Sequence, residues 1–221
     1  TASPENYASC YLSLRHQHDE GMSYQITDDN IGLIQLQNPL EISVKEMMEQ
    51  LKDTDGIVID LRQGIQPTFD ISNFYRYFCS DYQSAAQMIV PSQAIPGTYQ
   101  SILASAGSTQ TEREMLGIYF YQKPVVLLVN ENVVSSGEYA AMLMAVGENV
   151  VLLGENTRGA DGNVAYLPLP GNLQITFSSM GVFGPNMEQV QRIGLTPDIE
   201  VHPTIEGIKE GKDELKEAAV T

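Results

Sequence analysis

Apolar and polar positions along this 221-residue chain change period several times, and each change predicts an element. Residues 31–37 (IGLIQLQ) read as a strand. Ser43 followed by Glu46 has the S-x-x-E spacing of a capping box, and Val44, Met47, Met48 and Leu51 then recur at helical spacing. Three short apolar runs, 56–61 (GIVIDL), 124–130 (PVVLLVN) and 150–153 (VVLL), are of the kind buried on both faces of a parallel sheet. Ile71, Phe74, Tyr75 and Phe78 mark another helix. Residues 91–111 are rich in Pro, Gly, Ser and Gln and read as a long loop. Strand-like alternation runs through 164–183, a last strand is expected at 198–201, and 209–219 reads as a charged closing helix.

The stretch NENVVSSGEYAAM, residues 130–142, joins the second apolar run to a helix. Ser135 and Glu138 repeat the capping-box spacing, so Glu138 is expected to be a capping partner. Tyr139, Met142, Leu143 and Val146 give the expected buried stripe. Strand, helix, strand, helix with buried parallel strands means an α/β domain. In such sheets functional groups collect at the carboxyl ends of the strands, here the loops 62–68 and 131–136.

Composition narrows the possibilities. Apolar residues make up 43%, enough for a real core, and no run is long enough to span a membrane. The chain opens with polar TASPENYAS rather than a signal-peptide pattern, as the mature form of an exported protein also would. A net charge of −16 argues against nucleic acid as a partner, because a phosphate backbone needs a basic patch. Cys10 and Cys79 lack metal-ligand spacing and could pair only if the fold brings them together. No metal cluster, phosphate loop or cofactor motif is present, so no cofactor is expected. The methionines at helical spacing read as core, and His202 in DIEVHPT as surface. Asp60 and Arg62 read as a structural pair. Asp161, in the sequence GADG, reads as a turn residue, with an orienting or catalytic role as the alternative.

Four segments, DLRQG (60–64), PVVLLVNENVVSSGEYAA from Pro124, LLGENTRGADG from Leu152 and QRIGLTPDIEV from Gln191, occur in an order that resembles the C-terminal processing (tail-specific) serine proteases and the tricorn core. The likeness is to exported members common in Bacteroidetes and covers residues 30–221. It implies a ClpP/crotonase-like α/β core with a mostly parallel, curved sheet, acting on a polypeptide substrate. It implies that Ser135 is the nucleophile, with Ser136 as the less favoured choice. The N–H groups of Ser136 and Gly64 would serve as oxyanion donors, and Gln191 as a supporting catalytic residue. Alanine, Ala160, stands where processing proteases carry a lysine base, and Arg158 cannot substitute because a guanidinium does not release its proton. Tricorn-type members draw a histidine from upstream, so His16 or His18 could supply a base if the N-terminal segment folds over the site. Residues 1–29 would be a tail left by a preceding PDZ-like domain, and the resemblance implies export to the periplasm or cell surface. A non-catalytic peptide-binding relative is the rival reading, and an acyl-CoA enzyme of the same fold a third.

Overall fold

The computed structural model describes residues 23–220. A six-stranded sheet forms its centre, in the order β1-β2-β3-β6-β7-β11. These strands are β1 (Tyr24–Ile26), β2 (Ile31–Gln35), β3 (Gly56–Asp60), β6 (Val125–Val129), β7 (Val150–Gly154) and β11 (Ile199–Glu200). From β2 to β11 the pairing is parallel, while β1 pairs antiparallel with β2 across the turn at Thr27–Asn30. The outermost strand therefore lies ahead of residue 30. The three apolar runs are the three central strands, as expected.

Alternation within those runs assigns each side chain to a layer. Ile57, Ile59 and Leu127 enter the large core beneath helices α1 (Val44–Leu51), α2 (Ile71–Phe74) and α4 (Ser136–Ala145). Val58, Leu128 and Leu153 point the other way and pack on Leu215 of α6 (Glu214–Ala219). The capping box at Ser43 is present: Glu46 N–H donates to Ser43 Oγ, and Ser43 N–H donates to Glu46. Val44, Met47, Met48 and Leu51 are buried, as the spacing predicts.

Residues 91–111 are not a loop. Residues 91 and 99–106 belong to an antiparallel sheet, β10-β4-β5, made of β4 (Gln83–Pro91), β5 (Tyr99–Ala106) and β10 (Gly181–Phe183), with 92–98 as the turn between β4 and β5, followed by α3 (Gln110–Leu116). This sheet lies on the far side of α4. Ala85, Ala86, Ala104 and Ala106 form a smooth floor on which Met142 and Leu143 rest. Helix α4 is therefore covered on both sides: Ala140, Ala141 and Met144 face the parallel sheet, and only Tyr139 and Val146 of the expected stripe remain partly exposed. Residues 164–169 and 173–178 form a projecting hairpin, β8 (Val164–Leu169) with β9 (Leu173–Ser178). The expected closing helix is two helices, α5 (Ile205–Glu210) and α6, because Gly211 takes a left-handed conformation and its N–H closes α5. Among the described residues no helix is long and apolar enough to cross a membrane.

Candidate active site

Parallel pairing brings the carboxyl ends of β3, β6 and β7 to one edge of the sheet. Three segments emerge there: the DLR loop, the turn 130–136 and the loop 155–162. Asn130 shapes the turn by accepting the N–H of Asn132 at its side chain and the N–H of Val133 at its carbonyl. Val133 is buried beneath it.

Ser135 is exposed and has φ 50°, ψ −117°. A serine with positive φ is a backbone outlier, of the sort that clusters at functional sites. Its carbonyl accepts from Tyr139 N–H, so the helix begins immediately after it. Its N–H donates to Ala160 O at 3.1 Å.

The capping box expected here does not form. Ser135 makes no side-chain cap hydrogen bond, whereas Ser43 caps α1 from an extended conformation, φ −69°, ψ 154°. Positive φ turns the Ser135 hydroxyl away from the helix N–H groups. Glu138, the expected capping partner, is wholly buried instead. It accepts from Thr157 Oγ1 at 2.5 Å, Gly159 N–H at 2.6 Å and Ala160 N–H at 2.8 Å. Among the described residues Ser135 Oγ has no hydrogen-bond partner, so none of them is bonded to it as a base. His16 and His18 lie outside the described residues, as does Cys10.

The expected oxyanion donors fare differently. Ser136 opens α4 with an N–H that has no acceptor among the described residues, beside the positive end of the helix dipole. The N–H of Gly64 donates to Leu61 O at 3.0 Å and closes a turn, so it is not a free donor in this conformation. Among the described residues, the N–H groups of that loop without an acceptor belong to Gln63, Ile65 and Thr68, none singled out from sequence. No motif in the sequence marks them.

Gln191 braces the loop from behind. Its Nε2 donates to the carbonyls of Asp161 (2.8 Å) and Met180 (2.9 Å), and its Oε1 accepts from Val182 N–H. Asp161 is buried and shapes the turn as expected, its Oδ1 accepting from Gly162 N–H at 2.6 Å. Its Oδ2 has no partner. Burial pushes this carboxyl up to about 6, and the nearby Glu138 carboxylate adds to the rise. Gly159 sits where the loop crosses residues 192–194; its φ is +69°, and a Cβ there would stand 2.7 Å from the N of Gly194.

Arg62 lies between two carboxylates. It donates bidentately to Asp60 (2.9 and 2.7 Å) and to Asp213 (2.8 and 2.7 Å), which ties the DLR loop to the start of α6. This is the structural pairing expected for Asp60 and Arg62, extended by Asp213. His202 is exposed, as expected; Glu155 at 2.6 Å and Glu200 at 2.8 Å both raise its pKa. Among the described residues no group of His, Cys, Asp and Glu could hold a metal ion.

The family model for peptidase family S41 matches residues 80–201, more than half of the chain. The chain belongs to peptidase family S41. That span holds Ser135, Glu138, the loop 155–162 and Gln191. The fold is shared with solved structures. A putative peptidase from Parabacteroides merdae ATCC 43184 has a TM-score of 0.73 and 20% identity, over 99% of this chain and 69% of that one. Mature CPAF, in complex with lactacystin, matches with a TM-score of 0.63 and 12% identity, over 90% of this chain and 53% of that one. The photosystem II D1 C-terminal processing protease matches with a TM-score of 0.54 and 16% identity, over 84% of this chain and 47% of that one. The chain thus spans about half the length of the latter two. Among curated proteins none matches.

Proposed function

We propose that this S41 chain is the core of a serine endopeptidase that cleaves unfolded or C-terminally exposed polypeptide through Ser135. One observation carries the reading. Ser135 is held at φ 50° on a sharp strand-to-helix turn, and among the described residues neither its hydroxyl nor the neighbouring N–H of Ser136 has a hydrogen-bond partner. A turn of this kind exposes a serine oxygen to substrate, and a helix-terminal N–H is placed to meet the developing oxyanion. Gln191 acts at one remove, by fixing the carbonyl of Asp161. The second donor would be the N–H of Gln63 or Ile65. The base comes from outside the described residues.

A second reading has its own observation: among the described residues no group lies within hydrogen-bond reach of Ser135 Oγ. A serine without a base is a poor nucleophile, and the chain would then bind polypeptide without cleaving it. The test is treatment with a fluorophosphonate followed by intact mass, with hydrolysis of an unstructured protein measured in parallel and Ser135→Ala as control. One adduct and cleavage, both lost in the variant, establish the peptidase. Peptide binding with no adduct and no cleavage establishes the binding relative.

A further inference from the structure

The turn that carries Ser135 and the loop after β7 lie side by side. Arg158 N–H donates to Val133 O at 3.1 Å, Ser135 N–H donates to Ala160 O at 3.1 Å, and Arg158 Nε donates to Glu131 O at 2.8 Å. Through these bonds the loop grips the turn from outside. Beneath the loop sits the Glu138 carboxyl. Its Oε1 accepts from Thr157 Oγ1 and Gly159 N–H, and its Oε2 from Ala160 N–H.

Among the described residues no Lys or Arg pairs with Glu138. The Lys and Arg ion pairs of the described residues lie at Asp55, Asp60, Asp213, Glu49 and Glu210, and none reaches Glu138. A wholly buried carboxyl held only by hydrogen-bond donors is costly to desolvate, and replacing it with an apolar residue is often harmless to stability where geometry is not at stake. Here geometry is at stake. Ala160 gives its N–H to Glu138 and its carbonyl to Ser135, so the two contacts are linked through one residue. Ser135 and Glu138 are one helical turn apart, so the helix that presents the serine also carries the group that steadies the serine's clamp.

Ser135 needs such a clamp. Positive φ is unfavourable for serine and persists only where the surroundings over-determine it. Its own hydroxyl does not help, because it makes no cap bond. Among the described residues, the hydrogen bond that its N–H makes is the one to Ala160.

We propose that Glu138 is a positioning residue for Ser135: by holding the N–H groups of Gly159 and Ala160 it fixes the carbonyl that locks the serine in its positive-φ conformation. Its catalytic meaning rests on the reading of Ser135 as nucleophile. Its geometric meaning does not.

The test uses Glu138→Ala, Glu138→Gln and, as control, Thr157→Val. The control removes the hydroxyl that bonds Glu138 while leaving the Glu138–Ala160 contact. Three quantities are read: amide hydrogen exchange at Ser135, the rate of Ser135 modification by a fluorophosphonate, and the melting temperature. Glu138→Ala is expected to speed Ser135 amide exchange at least tenfold while β6 amides stay protected, and to slow modification at least tenfold. Glu138→Gln, which keeps one acceptor, should fall between; it carries the test if the alanine variant does not fold. Thr157→Val should lower the melting temperature yet leave Ser135 exchange and modification within about twofold of the parent. Unchanged Ser135 exchange in a folded Glu138 variant overturns the proposal. So does a Thr157→Val variant that matches Glu138→Ala in every readout, since that is what general loosening would produce. If the parent chain takes no label at Ser135, the nucleophile reading fails, and exchange alone still decides whether Glu138 holds the turn.

Discussion

Ser135 donates its backbone N–H to Ala160 O at 3.1 Å, and the resemblance to the processing proteases would put their lysine at Ala160. On the proposed reading, the loop that would deliver a base is already docked on the turn of Ser135, but it brings a methyl group. The Ala160 side chain is exposed, so a longer one has room. Ala160→Lys should fold with nearly unchanged stability. It should also raise the rate of Ser135 modification and of peptide hydrolysis at least about a hundredfold, the lower end of what a positioned general base supplies. The gain should grow with pH, since only a neutral amine takes the proton. A folded variant with no gain at any pH would show that the loop cannot place a base at Ser135.

The positive-φ conformation of Ser135 sets stability against function at one residue. Conformations of this type cost on the order of 1–3 kcal/mol for a residue with a Cβ, and glycine escapes most of that. Ser135→Gly should stabilise the fold by about 1 kcal/mol while abolishing modification by a fluorophosphonate. Ser135→Ala should abolish modification without the stabilisation. Urea unfolding of the three proteins checks both halves. Equal stability of the glycine and alanine variants would mean that the turn carries no strain.

The same S-x-x-E pattern occurs at Ser43 and Ser135 and has two outcomes, which shows where sequence reading stops. Glu46 stays in solvent and folds back on its own helix end. Glu138 is enclosed by a loop about 20 residues further along, whose N–H groups compete successfully for its oxygens. Nothing local to residues 135–138 records that loop. The central strands were legible because burial on both faces demands uninterrupted apolar runs such as GIVID and VVLLV. Strands β4 and β5 were not. They are largely exposed on one face, and on the other they present alanines, whose small size suits the close approach of α4 but carries little hydrophobic signal. The position of Ser135 at the carboxyl end of β6 was readable; its backbone conformation was not, because serine rather than glycine holds it.

Arg62 joins a loop beside the site to the last helix through two bidentate carboxylate pairs. Asp60 is buried, so removing the guanidinium strands a carboxylate away from water. Arg62→Met should cost about 3–5 kcal/mol, the usual penalty for breaking a buried pair from one side. Arg62→Lys should recover less than half of that, because one ammonium cannot fork to both acids. The double variant Arg62→Met, Asp60→Asn should be more stable than Arg62→Met alone. Additive losses in thermal unfolding would place the two residues in separate environments, contrary to the structure.

Asp161 offers a pH signature of the same loop. Burial raises its carboxyl from 3.8 to about 6 in the folded chain, so between those values the folded state holds a proton that the unfolded state has released. Stability from this group is then fully present below about pH 4, declines as pH rises through the window, and is lost above about pH 6. Asp161→Asn removes the charge yet keeps an oxygen for the N–H of Gly162, the one hydrogen bond Asp161 Oδ1 makes. The variant should match the parent near pH 4 and exceed it at pH 7 by about 1–2 kcal/mol, somewhat less than the full shift implies. Other carboxylates make both proteins weaken in acid, so the informative quantity is the difference between them at each pH, followed by urea unfolding from pH 4 to 8. A difference that does not change with pH would mean that Asp161 is ionised throughout, and its unpartnered oxygen would then have to meet water or a ligand.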